Sequence, residues 1–118
     1  MGLFIRVRVR PHPLLERKGD DLHMDLPVTV SEGMLGATVT VPTPDGGSVR
    51  VRIPPASPTG KRLRVKEKGV PHLKGGGRGD LYLRVAVHVP DRESTELADA
   101  ARVLDGGYSA DPREKLRL

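Results

Sequence analysis

The sequence predicts an all-β protein: a small two-sheet β-sandwich with one short helix and a C-terminal helix. Three observations predict this class. Apolar and polar residues alternate over several runs, which is the period of a half-buried strand. Valine and leucine occur 14 times each among 118 residues, whereas the aromatic residues number three, and valine favours strands. Proline and glycine clusters stand where the alternating runs reverse, as turn residues do.

The beginning of the chain predicts two strands joined by a connector. Leu3 to Arg10 alternates between an apolar face and an arginine face. Pro11-His12-Pro13 ends this strand because proline has no backbone N–H to donate to a ladder. Leu14 to Asp20 is charged and is predicted to be a connector. The next strand directs four side chains to one face and turns His23 and Asp25 away: Leu22, Met24, Leu26 and Val28.

The middle of the chain predicts a helical turn and a hairpin. Ser31 can cap a short helix that Gly36 ends. Pro44-Asp45-Gly46-Gly47 then separates two alternating runs, 39–41 and 49–53. Asp-Gly between such runs is typical of a β-hairpin turn.

The last part predicts two more strands and a helix. Leu63 to Val65 is a short strand, and Leu81 to Val89 is the longest, stopped by Pro90. Glu93 to Leu104 has helical periodicity, and Gly106-Gly107 can end it. The apolar stripe of this helix is Leu97, Ala100, Ala101 and Leu104. The stripe either folds back onto the chain's own sheet or meets a second chain.

Composition narrows the class of protein. The chain has no cysteine, so disulfides and thiolate metal sites are excluded. It has no run of about 18 apolar residues and no signal-peptide pattern, so we expect a cytoplasmic protein without a membrane partner. It also lacks Asn and Gln and is rich in proline, which is typical of thermophiles; GC-rich codon usage would give a similar bias.

No arrangement of residues predicts catalysis, a cofactor or a metal. The four histidines are not at metal-ligand spacing. No serine stands in a nucleophile elbow. Asp20 and Asp21 are adjacent, so on a strand they would face opposite ways and could not share a proton. We therefore predict that the protein is not an enzyme.

The glycine-rich stretch from Gly69 to Asp80 joins two strands. It can be a client-contacting loop, or a wide connection whose glycines satisfy backbone geometry, and glycine chemistry favours the second interpretation. The tripeptide Arg78-Gly79-Asp80 is also an adhesion motif, but Asp80 opens a predicted strand.

The basic strand faces leave one alternative function. Arginines at alternate positions, together with the net charge of +5, could make a basic β-barrel that binds nucleic acid. Single-strand binders stack bases on aromatic side chains, and only three are present. The solvated side of an ordinary strand explains the same pattern, so nucleic acid is not the expected partner.

Several motifs, in order, resemble one family. They are Gly19-Asp20-Asp21-Leu22, Pro27 to Gly36, Val41 to Gly46, Ile53-Pro54-Pro55, Pro58-Thr59-Gly60-Lys61, Lys68-Gly69-Val70-Pro71 and Gly75 to Tyr82. This succession, in register from about Phe4 to Pro90, resembles the second C-terminal β-domain of DnaJ-type J-domain co-chaperones. The chain contains neither the family's J-domain His-Pro-Asp motif nor its cysteine zinc module.

The resemblance implies a division of the chain and a function. Residues 1–20 would be a strand and connector from the preceding domain, 21–90 the second C-terminal β-domain, and 91–118 a dimerisation helix and tail. The family implies a homodimer that binds unfolded client proteins and passes them to a DnaK-type chaperone, in the stress response. The dimer interface would be the stripe Leu97, Ala100, Ala101 and Leu104. Client contact would fall on Leu22, Met24 and Leu26 if their face lies outside the core.

Overall fold

The computed structural model describes residues 15–72 and 76–116. The predicted strand from Leu3 to Arg10, and Pro11-His12-Pro13 after it, lie outside the described residues. In chain order the elements are β1 (Leu15–Lys18), β2 (Asp21–Thr29), α1 (Val30–Leu35), β3 (Ala37–Pro42), β4 (Ser48–Ile53), β5 (Arg62–Val65), β6 (Leu81–His88) and α2 (Thr95–Asp105).

The strands form two sheets around one core. The larger sheet has the order β1-β2-β6-β5, and β3 and β4 pair as a separate hairpin. Side chains from both sheets make a single apolar cluster: Leu22, Leu26, Val28, Val41, Val51, Ile53, Leu81, Leu83 and Val85. The predicted all-β, two-sheet class with a short helix and a C-terminal helix is confirmed.

The centre of the larger sheet is a parallel pair. β2 runs alongside β6 from Leu22 opposite Leu81 to Thr29 opposite His88. β1 and β5 then add antiparallel strands on the two sides of this pair. Because facing residues in the register share a sheet face, the apolar positions of β2 and β6 combine into one surface that β3 and β4 cover.

Two glycines let three backbone segments meet where β2 and β6 begin. The Val70 N–H donates to the Asp20 carbonyl at 2.8 Å, and the Gly69 N–H donates to the Gly79 carbonyl at 2.8 Å. A Cβ at Gly79 would overlap the Asp20 carbonyl, and one at Gly69 would lie 2.7 Å from the Asp80 carbonyl. Glycine at these two positions is therefore required by close packing of backbone on backbone.

The structure corrects the predicted connector from Leu14 to Asp20. Leu15–Lys18 forms β1, which pairs with β2 from Leu15 opposite Met24 to Lys18 opposite Asp21. Only Leu15 of this strand packs against the core. Its other three residues are charged, so the sequence shows no alternation of apolar and polar residues there. The predicted boundary between residues 20 and 21 thus falls in a turn within one sheet, while the three-part division of the chain stays a prediction.

The cap of α1 also differs from the prediction. Thr29, not Ser31, is the N-cap: its hydroxyl accepts from the Glu32 N–H at 3.1 Å, and the Glu32 carboxylate accepts from the Thr29 N–H at 2.9 Å. This reciprocal capping box satisfies two amides that the helix itself leaves without partners. Gly36 ends the helix as predicted, at φ 80°, and a Cβ there would lie 2.8 Å from the Ile53 carbonyl.

We predict that Gly79→Ala lowers the free energy of unfolding by about 2 kcal/mol or more, because the new methyl group meets backbone that cannot move aside. Urea denaturation of the full chain measures this change. Gly47→Ala is the matched control, since its Cβ would meet its nearest atom at 3.4 Å, an ordinary contact. Equal stability of the two variants would show that the three-segment junction tolerates a side chain.

Candidate functional site

The C-terminal helix presents an apolar stripe on a well-formed scaffold. Ser94 caps α2 by accepting from the Leu97 N–H at 3.0 Å, and Glu96 lies in the first turn, where the helix dipole favours an acid. The predicted stripe residues fall within the helix: Leu97, Ala100, Ala101 and Leu104. The structure therefore places all four candidate interface residues on one formed element.

This stripe is not buried by the part of the chain that the structure describes. No residue of α2 is buried; Leu97 is half-buried, the two alanines are exposed and Leu104 is 38% exposed. An open apolar groove runs between α2 and the segment that leaves β6, with Val30, Val89 and Pro90 on its far side. Sequence reasoning missed these three residues because the groove forms only in three dimensions.

The three predicted client-contacting residues lie on the core face of β2. Leu22 and Leu26 are buried, at 8% and 7% exposure. Met24 is half-buried and packs against the edge of the core beside Leu15. The face that carries them is therefore the core face, so Leu22 and Leu26 offer no surface to a client, and the client-binding prediction remains for Met24 alone.

The opposite face of the larger sheet is polar and has mixed charge. His23 and Tyr82, which face each other across β2 and β6, stack with ring centroids 5.0 Å apart. The Arg84 guanidinium donates to Asp25 at 3.0 Å, and this hydrogen bond and the carboxylate charge raise the pKa of Arg84. The aromatic rings thus contact each other, and one cation is neutralised, so nothing here adds support for nucleic-acid binding.

The tripeptide Arg78-Gly79-Asp80 is built into the fold. The Asp80 carboxylate accepts from the Glu67 N–H at 2.9 Å and from the Arg64 Nε at 2.7 Å. The Asp80 N–H donates to the Asp21 carboxylate at 2.8 Å. The backbone hydrogen bond from Glu67, followed by the Arg64 guanidinium, lowers the pKa of Asp80. Glu67 itself has φ 62°, so this carboxylate holds a strained residue in place.

The glycine-rich stretch therefore contains a clamp rather than an exposed adhesion motif. Asp80 joins the end of β5, the start of β2 and the start of β6 through the hydrogen bonds of one residue. These hydrogen bonds give a physical reason to interpret the stretch as a connection that satisfies backbone geometry. The part of the loop from 73 to 75 lies outside the described residues.

A second carboxylate ties the β3–β4 hairpin to the same end of the molecule. Asp45 accepts hydrogen bonds from the Thr43 hydroxyl and from the Gly47 N–H, and these lower its pKa to about 2. Its other oxygen lies 3.7 Å from Lys68 Nζ. The hairpin turn therefore lies beside the segment after β5, and this partly exposed ion pair adds to the apolar packing between the two sheets.

Residues 15–72 and 76–116 contain no group of three or more His, Asp or Glu side chains placed to hold a metal ion. In the same residues, neither helix has the length and apolarity needed to cross a bilayer.

A family model and several relatives match this chain. The model of the DnaJ C terminal domain covers residues 2–90. The chain belongs to the DnaJ C-terminal domain family. "Chaperone protein DnaJ 2" of Aquifex aeolicus is 53% identical over 88 residues, which is 75% of this chain and 23% of that protein. "Chaperone protein DnaJ" of Caldicellulosiruptor saccharolyticus is 36% identical over 113 residues, or 96% of this chain and 29% of that protein.

The resemblance read from the motifs is confirmed by this match. A "Chaperone protein DnaJ" of Cereibacter sphaeroides is also 48% identical over 88 residues, 75% of this chain and 23% of that protein. The DnaJ C-terminal domain described here thus spans about a quarter of the length of these curated relatives. The family match ends at residue 90, so α2 lies beyond it.

We predict that Asp80→Asn destabilises this DnaJ C-terminal domain at neutral pH and much less in acid. A carboxylate whose pKa is lowered by folding adds stability above the unfolded-state pKa of about 3.9 and loses it as the pH falls through the folded value. Chemical denaturation from pH 7 to pH 2 measures the difference between wild type and variant. Asp91→Asn, at an exposed residue, controls for the loss of one charge. A difference that is the same at every pH would contradict the clamp.

Proposed function

We propose that this chain is the dimerisation and client-positioning part of a DnaJ-type co-chaperone, which holds unfolded proteins for transfer to a DnaK-type chaperone. The match of residues 2–90 to the DnaJ C terminal domain carries this proposal. The relatives bear the name chaperone protein DnaJ. Contact with the DnaK-type partner would be made by the full-length protein; the match covers 23% of the length of the Aquifex aeolicus relative.

The exposed stripe of α2 supports the homodimer. Leu97 and Leu104 lie two turns apart on one side of an 11-residue helix, with two alanines between them. Small side chains allow two helices to approach closely, and symmetric pairing of one patch with itself is the commonest form of oligomer. Burial of the stripe against a second copy would remove apolar surface from water that this chain leaves exposed.

Dimerisation gives a mechanism for holding clients that each copy binds weakly. When one site releases a segment, the other keeps the client near, so rebinding competes with escape. Two linked weak sites can gain ~10²-fold or more in apparent affinity without any new contact. Met24, half-buried at the edge of the core, is the remaining candidate for client contact among the three predicted residues.

The composition of the chain supports a proposed setting for this function. The absence of cysteine suits a reducing cytoplasm, and the absence of Asn and Gln suits a thermophile. A co-chaperone in that setting would act in the stress response, where unfolded proteins accumulate.

We predict that Leu97→Glu combined with Leu104→Glu converts the dimer to a monomer, because charges at both ends of the stripe would be desolvated on pairing. Sedimentation or light scattering over a range of concentrations measures the change. Val103→Glu is the matched control: the residue is in the same helix, off the stripe and 78% exposed. A wild-type chain that stays monomeric at high concentration would refute the dimer.

The monomeric variant is also expected to release an unfolded client with two binding segments ~10²-fold faster than the dimer does. Dissociation of a reduced, unfolded model protein from immobilised chain measures the rate. A client with one binding segment should dissociate equally fast from both forms. A dimer that binds neither client would contradict client positioning while leaving dimerisation intact.

A further inference from the structure

One outer edge of the larger sheet carries backbone groups that no strand among residues 15–72 and 76–116 uses. Within these residues, β5 is the last strand in the order β1-β2-β6-β5 and pairs antiparallel with β6 on one side. The Val85 N–H donates to the Lys61 carbonyl at 2.8 Å. This hydrogen bond shows which residues of β5 bond to β6. Since hydrogen-bonded pairs alternate in an antiparallel ladder, Leu63 and Val65 bond to β6, whereas Arg62 and Arg64 direct their N–H and C=O groups outward.

No hydrogen bond within the described residues engages the backbone groups of Arg62 and Arg64 on this outer edge. An open strand edge is a template on which another extended segment can add. The edge of β5 therefore has the backbone geometry for a further strand, which would receive main-chain hydrogen bonds at two alternate residues.

The side chains of β5 specify what such a strand must carry. Leu63 and Val65 are half-buried and pack against the core, so a neighbouring strand would place apolar side chains beside them. Arg62 and Arg64 are exposed on the opposite face, so the alternate positions of that strand would lie beside guanidinium groups. A complementary strand thus alternates apolar and acidic residues.

The charge of the edge also excludes a second copy of β5 as the occupant. Four cations lie in β5 or directly beside it: Lys61, Arg62, Arg64 and Lys66. Among the described residues, the ion pairs of this group engage only Arg64, which lies 2.7 Å from Asp80. Pairing of β5 with β5 would bring like charges opposite each other, which is destabilising. Natural edge strands use such cations against self-association, but the same cations attract carboxylates.

We infer that the edge of β5 binds an extended, acidic and apolar segment of another polypeptide by strand addition. The site shares no residue with the α2 stripe, and it would operate in a monomer as well as in a dimer. It therefore does not rest on the proposed function: loss of dimerisation would leave it in place.

The probe is a capped synthetic peptide of about nine residues that alternates valine and glutamate, long enough to span one edge strand. With the full chain, we expect amide hydrogen exchange of Arg62 and Arg64 to slow on addition of the peptide. The amides of Leu63 and Val65 serve as internal controls because they already bond to β6. A peptide with lysine in place of glutamate should leave exchange at Arg62 and Arg64 unchanged.

Two substitutions at one residue separate the backbone contribution from the charge. Arg62→Ala removes one cation and keeps the outward N–H, so it should weaken peptide binding severalfold. Arg62→Pro also removes the outward N–H, and it does so without loss of a hydrogen bond to β6. We expect it to weaken peptide binding about tenfold further, because one hydrogen bond to the peptide is lost. Proline is tolerated on edge strands whose N–H faces solvent, and circular dichroism checks that each variant folds.

Peptide binding that leaves the Arg62 and Arg64 amides unprotected would overturn the inference, as would equal binding of the glutamate and lysine peptides. An equal loss of affinity in the alanine and proline variants would also refute strand addition. If the proline variant does not fold, the exchange pattern and the comparison of the two peptides still test strand addition.

Discussion

The parallel pairing of β2 with β6 is the constraint on which the rest of the fold depends. It brings Leu22, Leu26 and Val28 level with Leu81, Val85 and Val87, so that one continuous apolar surface faces the β3–β4 hairpin. A shift of one strand by one residue would turn the apolar side chains of that strand away from the core. The junction of Asp20, Gly69 and Gly79 prevents that shift, because it fixes the start of both strands with backbone hydrogen bonds. Asp80 adds side-chain bonds at the same place.

Much of this fold could be predicted from alternation alone. The strands at 37–42, 48–53 and 81–88, the hairpin turn and the C-terminal helix all appeared where local pattern and turn chemistry indicated them. β1 did not, because Leu15 is its only apolar residue and a four-residue strand with three charges has no detectable period. The parallel pairing of β2 with β6 could not be predicted either, because the local sequence of a strand does not show which distant strand it pairs with.

The interaction surfaces could likewise be predicted only in part from the sequence. The α2 stripe follows from helical spacing, and the structure adds only the other wall of its groove, at Val30, Val89 and Pro90. The residues of β2 were harder to assign, because alternation identifies an apolar face without saying whether that face meets the core or a ligand. The burial of Leu22 and Leu26 answers this. The open edge of β5 depends on sheet order, which no stretch of sequence encodes by itself.

The long-range pairing at the centre of the sheet has a kinetic consequence. Leu22 and its partner Leu81 are 59 positions apart along the chain, and the Asp80–Asp21 hydrogen bond spans the same separation. Contacts of such high order slow folding, because the loop must close before any of them form. During synthesis, the apolar side chains of β2 would leave the ribosome long before β6 exists. The apolar face of β2 would therefore stay open to water, and to other chains, until β6 has been made.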